Sequence, residues 1–194
     1  MSDPLLDRVP PHNQEAEQSV LGAIFLEPQA LITAAEIVMP EDFYRVAHQK
    51  IFQTMLRLSD QGKAIDVVTV TEELSSKKEL EDVGGISYIS EIANAVPTAA
   101  NIGHYAKIVE EKSILRRLIR VATTIVEDGF TREDEVEALL SEAERKMMEV
   151  ANRKNAGDFK HIKDVLVETY DNIEKLHTRK GDVTGIPTGF RDLD

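Results

Sequence analysis

The sequence predicts an all-α fold: a globular helical head, an antiparallel helical hairpin, and a separate amphipathic helix beyond a linker. Three observations carry this. Apolar residues recur at helical spacing through most of the 194 residues. Asn, Asp and Gly stand where such stretches should begin and end. The one clear β-branched run has no second run beside it to pair with.

The elements follow in order. Residues 1–12 are loop-like and close on Pro10-Pro11. Asn13 is a good N-cap, and Glu15 and Glu17 then sit in a first turn, where the helix dipole favours acids. Ala16, Val20, Ala23, Ile24 and Leu26 make the apolar face of this first helix. Pro28 restarts the chain near the first turn of a second helix, which ends before Pro40. Val46 to Ser59 reads as a third, with Asp60-Gln61-Gly62 as its stop. The run AIDVVTVTEEL, Ala64 to Leu74, is compatible with strand or helix. Helix is favoured, since Asp66 can cap it and Val67, Val70 and Leu74 share a helical face. Gly84-Gly85 is a turn, and Ile86, Ile89, Ile92 and Ala93 form a short helix broken by Pro97.

From Ala99 two long helical patterns appear, Asn101 to Glu127 and Glu133 to Arg153. Gly129 and the stretch Thr131 to Asp134 supply a stop and a new start, and so short a connection makes antiparallel neighbours. Val136, Leu140, Ala143, Met147 and Val150 step by heptad spacing, and Ile108, Leu115, Leu118, Ala122 and Ile125 offer a matching seam. The first hairpin helix holds more apolar surface than one partner needs, an arc of roughly 160°. Its flanks, with Ile114, Val121 and Ile125 on one side and Ile119 on the other, are expected to meet the head or another protein. After the linker-like RKNAGD at Arg153 to Asp158, Ile162, Leu166, Tyr170, Ile173 and Leu176 form the stripe of one more amphipathic helix, with Gly181 as its cap. A lone helix of that length is marginal in water, so its stripe should dock, and loops on both sides favour a neighbour. Residues 154–161 and 181–194 are expected to be poorly ordered. The organisation is thus head 1–98, hairpin 99–153 of the same domain, linker and helix 154–181, and the beginning of something further at 182–194.

Composition narrows the function. There is no cysteine, which excludes disulfides and Cys-based zinc sites and suits a reducing compartment. The N-terminus lacks the pattern of a signal peptide, and no run of about 18 apolar residues exists to span a membrane. The net charge is −12; residues 1–99 hold 16 acids against 7 bases, and residues 100–194 hold 19 against 16. Neither half carries the basic footprint that nucleic acid requires, so little direct DNA binding is expected, and a basic protein partner suits the N-terminal half better. No P-loop, dinucleotide-binding or nucleophile-elbow motif is present. His12, His48, His104, His161 and His177 are scattered, and His48 reads as a packed or partly exposed helix residue rather than a ligand. No catalytic, metal or cofactor constellation is visible. Tyr88 and Glu15 join the interaction candidates: a tyrosine suits a half-wet interface, and a first-turn acid suits a basic partner.

Several stretches converge on one family. PPHNQEAEQSVLGAIF, FYRVAHQKIF, DVVTVTEEL, GGISYI and NAVPTAANIGHYAKIVEEKSILRRLI occur in this order, and together they resemble the N-terminal part of bacterial replicative DNA helicases of the DnaB type. The closing TGIPTGFRDLD is similar to the threshold of RecA-type ATPase domains, just before the phosphate-binding loop. The resemblance implies a non-catalytic N-terminal collar whose hairpins pair between subunits, as a dimer or within a hexamer. It implies recruitment of primase through the primase C-terminal domain, contact with a helicase loader, and a cytoplasmic protein. The linker helix would dock on the adjacent subunit's ATPase domain. ATP and Mg would belong to the C-terminal domain of an ATP-dependent parent helicase. The alternative is a free-standing adaptor or regulator that copies the helicase N-terminus.

Overall fold

Asn13 opens the first helix, α1 (Gln14–Leu26), by accepting a hydrogen bond from the Ala16 amide at 3.0 Å. The computed structural model of the chain describes residues 9–131 and 136–155. Among these lie seven α-helices and one 3-10 turn. After α1 come α2 (Ala30–Ala35), the 3-10 turn (Pro40–Asp42), α3 (Val46–Asp60), α4 (Val67–Ser76), α5 (Gly85–Ala93), α6 (Ile102–Thr131) and α7 (Val136–Asn155). No strand occurs among the described residues. Contacts divide the chain into two units, Met1–Gly157 and Asp158–Asp194. The second unit, with the expected docking stripe Ile162, Leu166, Tyr170, Ile173 and Leu176, lies outside the described residues, as do 156–161 and 181–194; Lys154 and Asn155, expected to be poorly ordered, instead close α7.

The head is built around α1. Val20, Leu21, Ala23 and Ile24 are fully buried, so this helix is apolar around most of its circumference and has neighbours on several sides. It packs against α2, α3, α5 and α6. Its crossing with α5 depends on Gly22: a Cβ there would lie 2.6 Å from the Ile92 carbonyl oxygen, so only glycine allows the approach. Phe43, Phe52, Met55, Leu58, Leu74, Ile89 and Ile92 complete the core. The ambiguous run at Ala64 to Leu74 is helical: Asp66 Oδ1 accepts from the Thr69 amide at 2.8 Å, and Thr69 Oγ1 accepts from the Asp66 amide at 3.1 Å. This reciprocal cap settles what β-branched composition left open.

α6 belongs to the head at its start and to the hairpin at its end. Ile102, Ala106 and Val109 are core residues, and beyond Ser113 the helix projects and pairs with α7. Two expectations are corrected here. Gly129 is no cap, because α6 runs on to Thr131. A glycine inside a helix costs about 1 kcal/mol, and the last turn is anchored to α7 by Asp128, whose carboxylate meets Lys146 at 2.9 Å.

The hairpin seam also differs from the heptad reading. Val121, Thr124, Ile125 and Asp128 are half-buried on one face of α6, with Ile114 further along it; on α7 the half-buried set is Leu139, Glu142, Ala143, Lys146 and Val150. The Asp128–Lys146 pair marks these two faces as the ones that meet. Leu115, Leu118, Ala122, Val136, Leu140 and Met147, expected inside, are exposed. A count of apolar residues alone passes over Lys146 and Glu142, whose aliphatic stems help to fill the seam.

Candidate functional site

The central feature is a polar network inside an apolar head. Glu17 sits in the first turn of α1, as expected, and is buried at 1% exposure, with His48 at 0%. Glu17 Oε1 accepts from the Tyr44 amide at 2.6 Å. Its Oε2 accepts from the Arg45 amide at 3.4 Å and pairs with His48 Nδ1 at 2.6 Å. Across the ring, His48 Nε2 lies 2.7 Å from the Tyr88 hydroxyl. That hydroxyl also accepts from Arg45 Nη1 at 2.8 Å and Gln18 Nε2 at 3.3 Å. Ring planes of His48 and Tyr88 are 3° from parallel, and the Arg45 guanidinium sits 5.1 Å from the Tyr88 ring centre.

Local sequence places each member. Gly84 and Gly85 take φ values of +95° and +71°, a left-handed turn open to glycine, and this turn launches α5 with Tyr88 one turn in. His48 falls near the start of α3, on its buried face with Phe52 and Met55. Gln18 is one turn after Glu15 on α1. Two candidates distant in sequence are thus linked through Gln18, which donates to Tyr88 and stands one helical turn after Glu15. Glu15 itself is exposed and Tyr88 half-buried.

A second network roots the hairpin. Asp42 is buried, and its Oδ1 accepts from Ser113 Oγ at 2.8 Å and from Arg117 Nη2. Its Oδ2 accepts from the Met39 amide at 2.8 Å. Arg116 donates to the carbonyl of Asp42 and to that of Pro11, the latter at 2.8 Å, and its guanidinium lies 5.7 Å from the Tyr44 ring centre. Tyr44 in turn stacks on His12, with ring centres 4.4 Å apart. Burial lowers the Arg116 pKa against the pull of Glu17 and Asp42. Burial also raises the Glu110 carboxyl, aided by the nearby Asp42 charge. Beside this network opens a cleft of ≈ 560 Å³ lined by Pro10, Pro11, Tyr44, Arg116, Ile119 and Arg120.

The remaining candidates separate. Ile119 is exposed and lines that cleft. Ile114 and Val121, expected on a flank that meets the head or another protein, lie half-buried on the face that carries α7, together with Ile125, which was expected in that flank and also in the seam. The outward apolar surface instead comprises Leu115, Leu118, Val126 and Phe130 on α6, and Val136, Leu140 and Met147 on α7. At about 100° per residue, Leu115, Leu118 and Ala122 lie roughly a quarter turn from the seam, and so do Val136, Leu140 and Met147, in the same rotational sense. In an antiparallel pair the same sense of rotation puts both stripes on one side. The hairpin therefore presents one apolar face made from both helices. Sequence reasoning missed Glu17, His48 and Asp42 as network members; a signal for Glu17 existed in Val20 and Leu21, which share its helical face one turn on.

Among the described residues no group of His, Cys, Asp or Glu is arranged to hold a metal ion, and no helix is long and apolar enough to cross a membrane. The comparisons agree on one relationship. The chain is 69% identical over all 194 residues to the replicative DNA helicase DnaC of Bacillus subtilis (strain 168), of which it spans 43%. Its fold is similar to the crystal structure of the N-terminal domain of DnaB helicase from Mycobacterium tuberculosis, with TM-score 0.70 and 38% identity, covering 73% of this chain and 99% of that one. It is also similar to a DnaB-like replicative helicase whose structure was described together with its interactions with primase, with TM-score 0.62 and 28% identity over 94% of this chain and 39% of that one. The family model for the DnaB-like helicase N-terminal domain matches residues 9–111, the whole head with the start of α6, and the chain belongs to that family.

Proposed function

We propose that this chain is the non-catalytic N-terminal part of a hexameric, ATP-dependent replicative DNA helicase, and that it serves subunit association and primase recruitment. The family match over residues 9–111 is the observation that carries the reading. The hairpin supports the first role. An exposed apolar face spanning two helices is the kind of surface that another copy covers. The surface bounded by Glu15, Gln18, Arg45 and Tyr88 supports the second. It offers a tyrosine, a cation and an acid around a fixed polar network, and such mixtures with aromatic anchors suit protein contacts. ATP and Mg²⁺ would be handled by a RecA-like C-terminal domain, since the 194 residues contain no P-loop. Head 1–98, hairpin 99–153 and linker 154–181 would then be the collar and its connection to that motor, in a cytoplasmic assembly that a loader places on DNA.

Calorimetric titration of the chain with a primase C-terminal domain tests the recruitment role. Saturable binding is expected. Absence of heat and of co-elution at high micromolar concentration overturns it.

A further inference from the structure

The Tyr88 hydroxyl has three hydrogen-bonding neighbours: His48 Nε2 at 2.7 Å, Arg45 Nη1 at 2.8 Å and Gln18 Nε2 at 3.3 Å. The arginine and the amide nitrogen can only donate. A phenol has one hydrogen to give, so it goes to the one neighbour able to accept, the imidazole. Nε2 accepts only when the ring hydrogen sits on Nδ1, and Nδ1 faces Glu17 Oε2 at 2.6 Å. A carboxylate accepts and does not donate, so that hydrogen is held there. With a neutral imidazole between the Glu17 carboxylate and Tyr88, every hydrogen in the chain has one destination, fixed from the buried end. The Tyr88 O–H points inward, and both its lone pairs are engaged by Arg45 and Gln18. Tyr88 and Arg45 are each half-buried, with the Arg45 guanidinium over the phenol ring, and Glu15, one helical turn before Gln18, is exposed.

We infer that His48 is a positioning residue for this face: it sets the direction of the Tyr88 O–H and, through it, how tightly the face holds its partner. The inference rests on the recruitment reading above. It concerns a residue with no exposure of its own.

Two substitutions separate positioning from mere stability. His48→Asn keeps an amide nitrogen near the place of Nδ1, able to donate to Glu17, but does not reach Tyr88. His48→Gln is longer and can offer its amide oxygen to the Tyr88 hydroxyl in place of Nε2. Binding of a primase C-terminal domain to the full chain is measured by calorimetry, with Tm beside it. His48→Asn and Tyr88→Phe are each expected to weaken binding about three- to tenfold. The double variant is expected to be no weaker than Tyr88→Phe alone, since contacting residues that act as one unit are not additive. His48→Gln is expected to bind within about twofold of the unmodified chain, whatever it loses in Tm.

Losses that multiply in the double variant overturn the inference. So does affinity that follows Tm across the series, or His48→Asn binding like the unmodified chain. A second readout needs no partner. The Tyr88 hydroxyl proton should give a slowly exchanging proton resonance in the unmodified chain and in His48→Gln, and none in His48→Asn. If the unmodified chain does not bind primase, the recruitment reading fails, and the resonance alone decides the positioning role: its absence from the unmodified chain, or its persistence in His48→Asn, overturns it.

Discussion

Ser113, on α6, donates its hydroxyl to the Asp42 carboxylate at 2.8 Å across 71 residues of sequence, and both side chains are buried. This contact ties the long hairpin helix to the turn between α2 and α3. It also sets the direction in which the hairpin leaves the head, because Arg116 and Arg117 close on the same turn from one further helical step.

Asp42→Ala should therefore cost more than an ordinary polar truncation. It strips a charged acceptor from Ser113, from Arg117 and from the Met39 amide. Arg117 is near solvent and can turn outward, which limits the loss. A decrease of about 2–3 kcal/mol in unfolding free energy is expected, measured by chemical denaturation. A change under about 0.5 kcal/mol would show that the turn holds without the carboxylate.

Glu17 tests the other network. Glu17→Ala leaves the His48 ring nitrogen and two backbone amides without their acceptor in a sealed site. A loss of about 3–5 kcal/mol is expected. Glu17→Gln, which keeps one acceptor oxygen, should lose about half as much. Equal losses from both would mean that volume, and not hydrogen bonding, is what Glu17 provides.

Gly22→Ala probes the α1–α5 crossing. The added methyl would start 2.6 Å from the Ile92 carbonyl oxygen, so the helices must separate. Overpacking of this kind costs about 1–3 kcal/mol. Because α5 carries Tyr88, the shift should also disturb the Tyr88 hydrogen bonds, visible as chemical-shift changes at Arg45 and Gln18. A stabilised variant, as helix propensity alone would give, contradicts the packing.

Glu110 gives stability a pH dependence. Its carboxyl is raised in the folded chain, first by burial and then by Asp42, so folding favours the protonated form. Its contribution is fully present below the unfolded carboxylate range and is lost as pH rises through the folded value. Glu110→Gln removes that loss. The Tm advantage of the variant should thus grow from pH 4 to pH 7. The group is half-exposed, so the gain is on the order of a few tenths of a kcal/mol, or about 1–2 °C. An advantage that shrinks with rising pH refutes the sign.

The helices were legible because their signals are local. Asn13 and Asp66 cap where capping residues should, and the stripes of α1, α3 and α5 repeat at helical spacing. Glu17 was placed in the first turn correctly, but a first-turn acid reads as a dipole partner, and nothing nearby in sequence shows that His48 and the Tyr44 amide wait on the other side. Tyr88 stood out as a residue suited to an interface, but its partners come from two other segments, α1 and the start of α3. The seam was misread for a related reason: both hairpin helices carry two adjacent apolar stripes, and the choice between them rests on one ion pair, Asp128 with Lys146.

That choice yields the last prediction. If Leu140 lies on the outward face and Val121 in the seam, one kind of substitution has two outcomes. Leu140, 60% exposed, gains no unfavourable burial on becoming Asp, so monomer stability should change by less than about 0.5 kcal/mol. Self-association through the hairpin face should weaken at least tenfold in sedimentation equilibrium, because a carboxylate buried between two copies has no partner there. Val121→Asp places the charge against α7 instead. The hairpin should then loosen, with faster amide exchange in α7 and a lower Tm, and association should fall only as a consequence. The reverse pattern, a destabilising Leu140→Asp and a silent Val121→Asp, would restore the heptad seam and place the outward face on the other side of the hairpin.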